Sequence, residues 1–422
     1  MNPGLVVKLR PAGPWRTGPD SGARNRVDPI YHSDSLYAAV TAAMATLGMR
    51  DEWLDATARH PESPAVRFSS CFPFVGEVHF IVPPRSIWPP MGGAPVSASK
   101  VRWKSARFVP VSLVAAIVDG QALQEEQWTV DGVSECLLPA RCPGPFRPSV
   151  RWSAAIDRLT GSADRHATAC IEFRQDAGLW AIVSFADEER HARWSGPVRG
   201  ALRLLADSGF GGERSRGWGR CAAPEFVEGA LPEMILPHRA ESPARPLAPS
   251  PAQHDEGVTP QPQPEPDSPA PEPIETAPET DSPARPLAPS PAQEPIETAP
   301  EIDSPARPLA PSPAQPRLQA DRPTSHWLLS LFTPCPDDAV DWKRGNYTVV
   351  ARGGRIESSA GFGERKKQLQ MVAEGSVLVA GETIRGMASD VAPDSFAHPV
   401  FRAGFALSIP LLGLSRDREG AV

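Results

Sequence analysis

At 422 residues the chain has room for two or more domains, and its formal charge of −7 excludes a global basic field that would draw nucleic acid from every side. That charge is uneven: residues 238–323 hold 6 arginines, no lysine and 14 acids, so they carry −8 and the rest of the chain +1, which confines any anion site to a local patch. No run of 18 apolar residues and no apolar leader core occurs, and Cys71, Cys136, Cys142, Cys170, Cys221 and Cys335 include no Cys-x-x-Cys pair or zinc-spaced histidine; a soluble cytoplasmic protein with reduced thiols, no metal and no cofactor is expected.

The first predicted strand is Leu5 to Arg10. After a Gly/Pro/Arg-rich loop, Leu36, Ala39, Val40, Ala43, Met44 and Leu47 space out the buried stripe of a helix, with Ser33 or Asp34 as its cap and Gly48 as its end. His32 stands just ahead of that helix, where a histidine serves either acid/base chemistry or a hydrogen-bonded structural role. From Phe72 to Val114 the composition fits strands and an extended insertion. Within it Lys100, Arg102 and Lys104 alternate, so a strand there turns all three to one face, and Arg107 extends the basic edge. Such a face is either an anion contact or a solvated edge kept from aggregating by its charges.

Asp157-Arg158-Leu159-Thr160-Gly161 reads as a turn after a short helix-like piece, and Leu179 to Phe185 as a strand. Pro197 to Asp207 follows as an amphipathic helix capped by Ser195 or Gly196 and stopped by Gly209. The stretch from Gly209 to Arg220 then packs Gly209, Gly211, Gly212, Gly217 and Gly219 among Arg214, Ser215, Arg216 and Arg220, with Phe210 and Trp218 as aromatics. Cys221 to Val227 after it is a strand. Helix, Gly loop, strand is the wrong polarity for a Walker loop or a Rossmann fingerprint, which set phosphate on the N-terminus of a following helix. Two readings remain. Either exposed amides and the three arginines hold a phosphodiester backbone with Trp218 or Phe210 stacked on a base, or the loop is a tight connection whose aromatics plug the core.

Ser-Pro-Ala-Arg-Pro-Leu-Ala-Pro-Ser-Pro-Ala-Gln starts at Ser242, Ser282 and Ser304, and 25 of the chain's 51 prolines lie between Pro237 and Pro323. Without aromatics such a segment cannot offset its ordering entropy, so residues 238–323 are expected to be a disordered, partly polyproline linker. Beyond it His326 to Phe332 reads as a strand, Asp338 to Ala351 as a helix and Phe405 to Leu411 as a closing strand. Between them Arg355, Arg365, Lys366 and Lys367 form the densest basic cluster, again beside glycines, as a second binding loop or a solvated face.

The order strand, helix, insertion, strands, helix, Gly loop, strand is that of a split βαβ domain. With His32-Ser33-Asp34-Ser35-Leu36, the basic stretch Lys100 to Pro110, Asp157 to Thr160, the Gly209–Arg220 loop, Gly353-Gly354-Arg355, Met371 to Val377 and His398 to Gly404, the chain resembles the RAMP superfamily of CRISPR proteins. Within it the similarity is closest to subunits that cap the guide-RNA 5′ end in type III-A (Csm) effectors. The resemblance implies an α+β chain of two ferredoxin-like (RRM-like) domains with a β-thumb insertion, residues 1–237 and 324–412, and no catalytic activity. It implies that the Gly-rich loop grips the repeat-derived 5′ tag of the crRNA beside the large polymerase/cyclase-like subunit and a backbone RAMP subunit, that target RNA is met only indirectly, and that the thumb parts guide from tag. The RNA-binding set on this reading is the loop, His32 and Ser33, the Lys100–Arg107 face and the Arg355–Lys367 cluster. The linker departs from the family pattern. The competing expectations are a metal-free RAMP-type endoribonuclease with His32 as acid/base, and a scaffold recruiting partners through the Pro-rich repeats.

Overall fold

The computed structural model describes residues 2–18, 23–59, 63–90, 103–121, 123–237, 323–358 and 361–411. The chain divides into Met1–Glu241 with Gln319–Val422, and Ser242–Leu318; every described residue belongs to the first unit. The expected linker lies, but for its last residue, outside the described residues, as do Lys100 and Arg102.

Strand β1 (Asn2–Leu9) buries Leu5, Val7 and Leu9, as the period of two requires. Helix α1 (Ser33–Thr46) buries Leu36, Val40, Ala43 and Met44 of the expected stripe and half-buries Ala39, whereas Leu47, at the C-cap, is 45% exposed; α2 (Arg50–Ala56) follows. Its start differs from expectation. His32 is at the N-cap position without a side-chain cap bond, because the side chains of His32, Ser33 and Asp34 are engaged elsewhere.

Next come β2 (Val66–Phe68), β3 (Phe72–Val75), β4 (Val78–Ile81), β5 (Val109–Pro110), α3 (Val111–Val118), β6 (Trp128–Val130) and β7 (Leu137–Pro139). The basic strand expected through Lys104 is not formed there. Lys104 sits in a single 3₁₀ turn, Trp103–Ser105, which buries Trp103 and places its carbonyl to accept the Trp88 indole N–H at 3.2 Å. The piece before Asp157, read as helix-like, is β8 (Phe146–Ile156), paired over all its 11 residues with β9 (Ala163–Phe173).

Strand β10 (Ala177–Phe185) is buried throughout. Helix α4 (Glu188–Ser208) starts well before the expected Pro197, because the Asp187 carboxylate accepts the Arg190 amide at 2.7 Å and caps it there. Pro197 inside the helix costs about 3 kcal/mol. Burial of Trp194 and Val198, about 1.5–3 kcal/mol for each large apolar side chain, offsets it. Strand β11 (Glu225–Leu231) lies four residues beyond the expected start at Cys221. The sheet order is β11–β1–β10–β3–β4–β5 with β2 also on β10, all pairs antiparallel, and α1 packs on α4.

Residues 323–411 contribute β12 (Thr324–Leu328), β13 (Val340–Asn346), β14 (Val349–Arg352), β15 (Arg355–Ser358), β16 (Gly361–Arg365), β17 (Leu369–Val372), β18 (Val377–Ala380), β19 (Gly386–Asp390), β20 (Phe401–Phe405) and β21 (Ser408–Leu411). Four form a sheet, β13–β18–β12–β21; β14–β17, β15–β16 and β19–β20 are separate pairs. The helix expected over Asp338–Ala351 is β13 and β14, as its Val, Trp, Tyr and Thr favour. A second ferredoxin-like domain needs two helices on its sheet, and the described residues here supply none. Instead this part packs directly on the first. Trp327, Leu329, Val377 and Phe405 share one core with Leu36, Tyr37 and Phe72, and the Ser70 amide donates to the Leu329 carbonyl at 2.9 Å.

Candidate nucleic-acid interface

The Gly loop leaves α4 at Gly209 and folds back on itself. The Phe210 amide donates to the Gly219 carbonyl (3.3 Å), Gly219 to Pro14 (3.0 Å) and Gly212 to Arg16 (2.8 Å), while the Arg220 carbonyl accepts from Ala12 (2.8 Å). Gly219 has φ +78°, and a Cβ there would meet the Phe210 carbonyl oxygen at 2.0 Å, so only glycine closes this turn. Phe210, 1% exposed, sits edge-on to Trp15 (4.6 Å) and Tyr31 (5.3 Å), and Trp218 is 8% exposed. These facts correct the expectation of bare amides and stacking aromatics: the amides of Phe210, Gly212 and Gly219 bind the loop to the protein, and both rings plug the core.

What faces solvent is the turn between them. Arg214, Ser215, Arg216, Gly217 and Arg220 are exposed, on a 3₁₀ turn (Arg214–Arg216) entered at Glu213 in the left-handed region. The Arg216 guanidinium reaches across to the β8–β9 hairpin, donating to Ser153 Oγ (2.9 Å) and lying 3.3 Å from His166 Nε2, with Glu213 3.3 Å away. From below, buried Arg16 donates to the carbonyls of Arg24 (3.0 Å) and Ala169 (2.6 Å), fixing the base of the hairpin against the loop. Sequence reasoning missed Arg16; its carbonyl partners are backbone and leave no motif.

The hairpin is two-faced. Directly opposed residues share a side, so Val150, Trp152, Ala154 and Ile156 stand with Ala169, Ala167, Arg165 and Ala163, and Arg147, Arg151 and Ser153 stand with Glu172, Thr168 and His166. Glu172 takes Arg147 (3.1 Å) and Arg151 (2.5 Å) on that polar side, where Arg216 also docks. Trp152 is 72% exposed. At the tip Asp157 accepts the Leu159 amide and the Thr160 hydroxyl, each at 2.8 Å, which holds Leu159 out, 97% exposed.

His32, Ser33 and Asp34 belong to a different structure. His32 is 6% exposed and both ring nitrogens face carboxylates, Nδ1 to Glu374 (2.7 Å) and Nε2 to Asp28 (3.1 Å). Burial opposes its charge, but Glu374 and Asp28 outweigh it and raise the pKa to about 10. Ser33 Oγ accepts the Leu331 amide (3.0 Å), and Asp34 takes Arg352 (3.0 and 3.1 Å) and Arg402, which hold its carboxyl below the usual range against the effect of burial. The buried carboxylates of Asp34 and Glu374, with half-buried Asp28 at the rim, thus meet His32, Arg352 and Arg402 in a joint between the start of α1 and residues more than 300 positions on. The expectation that His32 and Ser33 touch RNA is corrected: each is only 6% exposed, and both ring nitrogens of His32, the candidate acid/base group, are engaged by Glu374 and Asp28.

Of the other expected contacts, Arg107 pairs with Asp28 at 3.1 Å and lies on no basic strand. Arg355 and Arg365 face each other in register on the β15–β16 hairpin, both exposed. The Arg355 guanidinium donates to the Gly363 carbonyl, and Lys367 pairs with exposed Asp394 at 2.8 Å. The Lys366 amide donates to Gly354. This second cluster is separate from the Gly-loop turn in the described contacts.

Comparison with known proteins fits this architecture. Residues 322–411 match the family model described as CRISPR Csm4 C-terminal domain. The "CRISPR system Cms protein Csm4" of Thermococcus onnurineus (strain NA1) is 24% identical over 220 residues, 51% of this chain and 65% of that protein, so the match spans just under two thirds of the curated relative. A chain of the Csm3–Csm4 subcomplex of a type III-A CRISPR-Cas interference complex shares the fold at TM-score 0.51, with 12% identity over 96% of this chain and 99% of that one. A chain of a Csm1–Csm4 cassette in complex with cA4 matches at TM-score 0.47, with 14% identity over 96% and 97%. The chain thus has a mixed α/β fold shared with a chain of a Csm3–Csm4 subcomplex. Its residues 322–411 are similar to the Csm4 C-terminal domain.

Proposed function

We propose that the chain is a non-catalytic, RNA-binding subunit of a type III-A effector complex that holds the 5′ repeat-derived tag of the crRNA. It bridges the large polymerase-like subunit to the backbone subunits. The observation that carries this is the exposed arginine turn, Arg214, Arg216 and Arg220, fastened through Arg216 to the hairpin that presents Trp152 and Leu159. Guanidiniums neutralise and position phosphates, while the exposed ring on the opposite face of the hairpin and the leucine at its tip part or stack on unpaired bases.

On this reading the first part of the chain is ferredoxin-like, which its strand order β11–β1–β10–β3 with α1 and α4 supports, and the β8–β9 hairpin is the thumb. The Csm4-like C-terminal residues and the fold shared with a Csm3–Csm4 subcomplex chain support a backbone partner. Partnership with the large subunit follows from the family resemblance. No described helix is long and apolar enough to cross a membrane.

The test is assembly of the complex with crRNA and digestion from the 5′ end by an exonuclease. The parent protects the tag; the Arg214→Ala, Arg216→Ala, Arg220→Ala protein leaves it open to digestion in an otherwise intact assembly. Full protection of the tag by that variant would remove the turn from the site.

A further inference from the structure

The edge strand β13 is bulged. It pairs with β18 at Asp341↔Val379 and again at Asn346↔Val377, so five steps on β13 face two on its neighbour and Trp342 to Gly345 are pushed out of the ladder. Bulges at sheet edges re-aim side chains and end pairing. This one is held open by Asp341, whose Oδ1 accepts the amides of Lys343 (3.1 Å) and Arg344 (3.4 Å), so that carboxylate is turned into its own bulge.

The result is a small surface of defined chemistry. Trp342 is 38% and Tyr347 39% exposed, and their rings meet edge to face at 5.2 Å and 73°, which fixes each ring without burying it. Gly345 makes room for this: a Cβ there would come within 3.2 Å of Tyr347 Cδ1. Lys343 and Arg344 are exposed between the rings in sequence. Asn346 Nδ2 donates to the Arg85 carbonyl at 3.1 Å, which fastens the bulge to the backbone of Arg85, a third exposed basic residue. Among the described residues no ion pair is made by Lys343, Arg344 or Arg85.

An edge strand protected against aggregation needs only charge, and Lys343 with Arg344 would suffice. A pair of exposed, pre-oriented aromatic rings adds nothing to that protection, and it is what a strand of unpaired bases stacks on. Three cations without acid partners supply the complementary charge for its backbone.

From this geometry we infer that the bulge of β13, Trp342, Lys343, Arg344 and Tyr347 with Arg85, is a second single-stranded RNA contact, separate from the Gly-loop turn. It takes bases on the two rings and phosphates on the three cations, without sequence preference, because every base has a face to stack. The inference rests on the reading of the chain as RNA-binding, and adds a site that reading does not contain.

The probe is a fluorescein-labelled 12-nucleotide oligouridylate titrated against the full-length chain, with ultraviolet crosslinks mapped by mass spectrometry. Trp342→Ala with Tyr347→Ala should weaken binding roughly tenfold or more, and Trp342→Phe should restore most of it. Lys343→Gln with Arg344→Gln should lower the slope of log affinity against log salt by about 1.4, roughly 0.7 for each phosphate contact. Crosslinks should fall on Trp342 or Tyr347, and the tenfold loss should persist in an Arg216→Ala background. If the ring variant fails to fold by circular dichroism, the charge variant decides through its salt slope. Unchanged affinity and slope in variants of a parent that binds the probe would overturn this site alone. Unchanged affinity with loss of a co-purifying protein subunit would overturn it in favour of a protein face. A parent that does not bind the probe would overturn both this site and the RNA-binding reading.

Discussion

Asp34 shows what a charged residue at a helix start is for in this protein. It sits in the first turn of α1, where a carboxylate is favoured by the helix dipole, yet it is buried and takes two guanidiniums from the far end of the chain. Removing one member of such a group leaves uncompensated buried charge. Asp34→Ala should therefore cost about 3–5 kcal/mol of stability in chemical denaturation, and a loss below about 1 kcal/mol would place the carboxylate in water. His32 carries a pH signature. Its folded pKa of about 10 lies above its ordinary 6.5, so its contribution is complete below about pH 6.5, declines above it and is gone once pH passes about 10. Glu374 is held below its ordinary 4.5 by His32 against burial, so the acid side of the same joint gives way as pH falls below that value. The stability difference between the parent and His32→Gln should be larger at pH 6 than at pH 9. A difference that grows with pH would reverse the assigned charge.

At the scale of elements, the β8–β9 hairpin separates stability from function. Trp152 and Leu159 are exposed, so alanine at either should move stability by no more than about 0.5 kcal/mol. The same changes should disturb the junction of tag and guide, read as altered permanganate or crosslinking reactivity of crRNA bases there in the assembled complex. Unaltered reactivity would make the hairpin a bystander.

Elements that stand on their own pattern were legible in the sequence: β1 and α1 fall where alternation and the 3.6-residue stripe put them, and β10 where a short apolar run does. α4 was misread at its start, because Pro197 imitates a first turn while the true cap, Asp187, lies ten residues earlier and tertiary burial of Trp194 carries the helix through. β13 was misread because a bulged edge strand has no clean period of two. In the site, the exposed arginines of the Gly loop were legible as such. Its aromatics and amides were not, since Trp15, Tyr31, Pro14 and Arg16, which claim them, come from the other end of the domain. The joint was invisible for the same reason: Asp34 and Arg352 are 318 positions apart.

As a whole, the described molecule is one unit assembled from both ends of the chain, with residues 242–318 between them. The shared core and the ionic joint predict that residues 1–241 and 319–422, co-expressed as separate chains, purify together. Asp34→Ala should weaken that association, whereas separation of the unaltered pieces would show that chain continuity, and not the joint, holds them. The same architecture leaves the arginine turn and the hairpin exposed on the first part, which is where the guide RNA is proposed to lie. The most direct measurement of that claim is crRNA affinity of the assembled complex across a salt series, for the parent and for the Arg214→Ala, Arg216→Ala, Arg220→Ala protein. Three lost phosphate contacts on a single strand should flatten the log–log slope by about 2. A variant whose slope matches the parent's would contradict the claim.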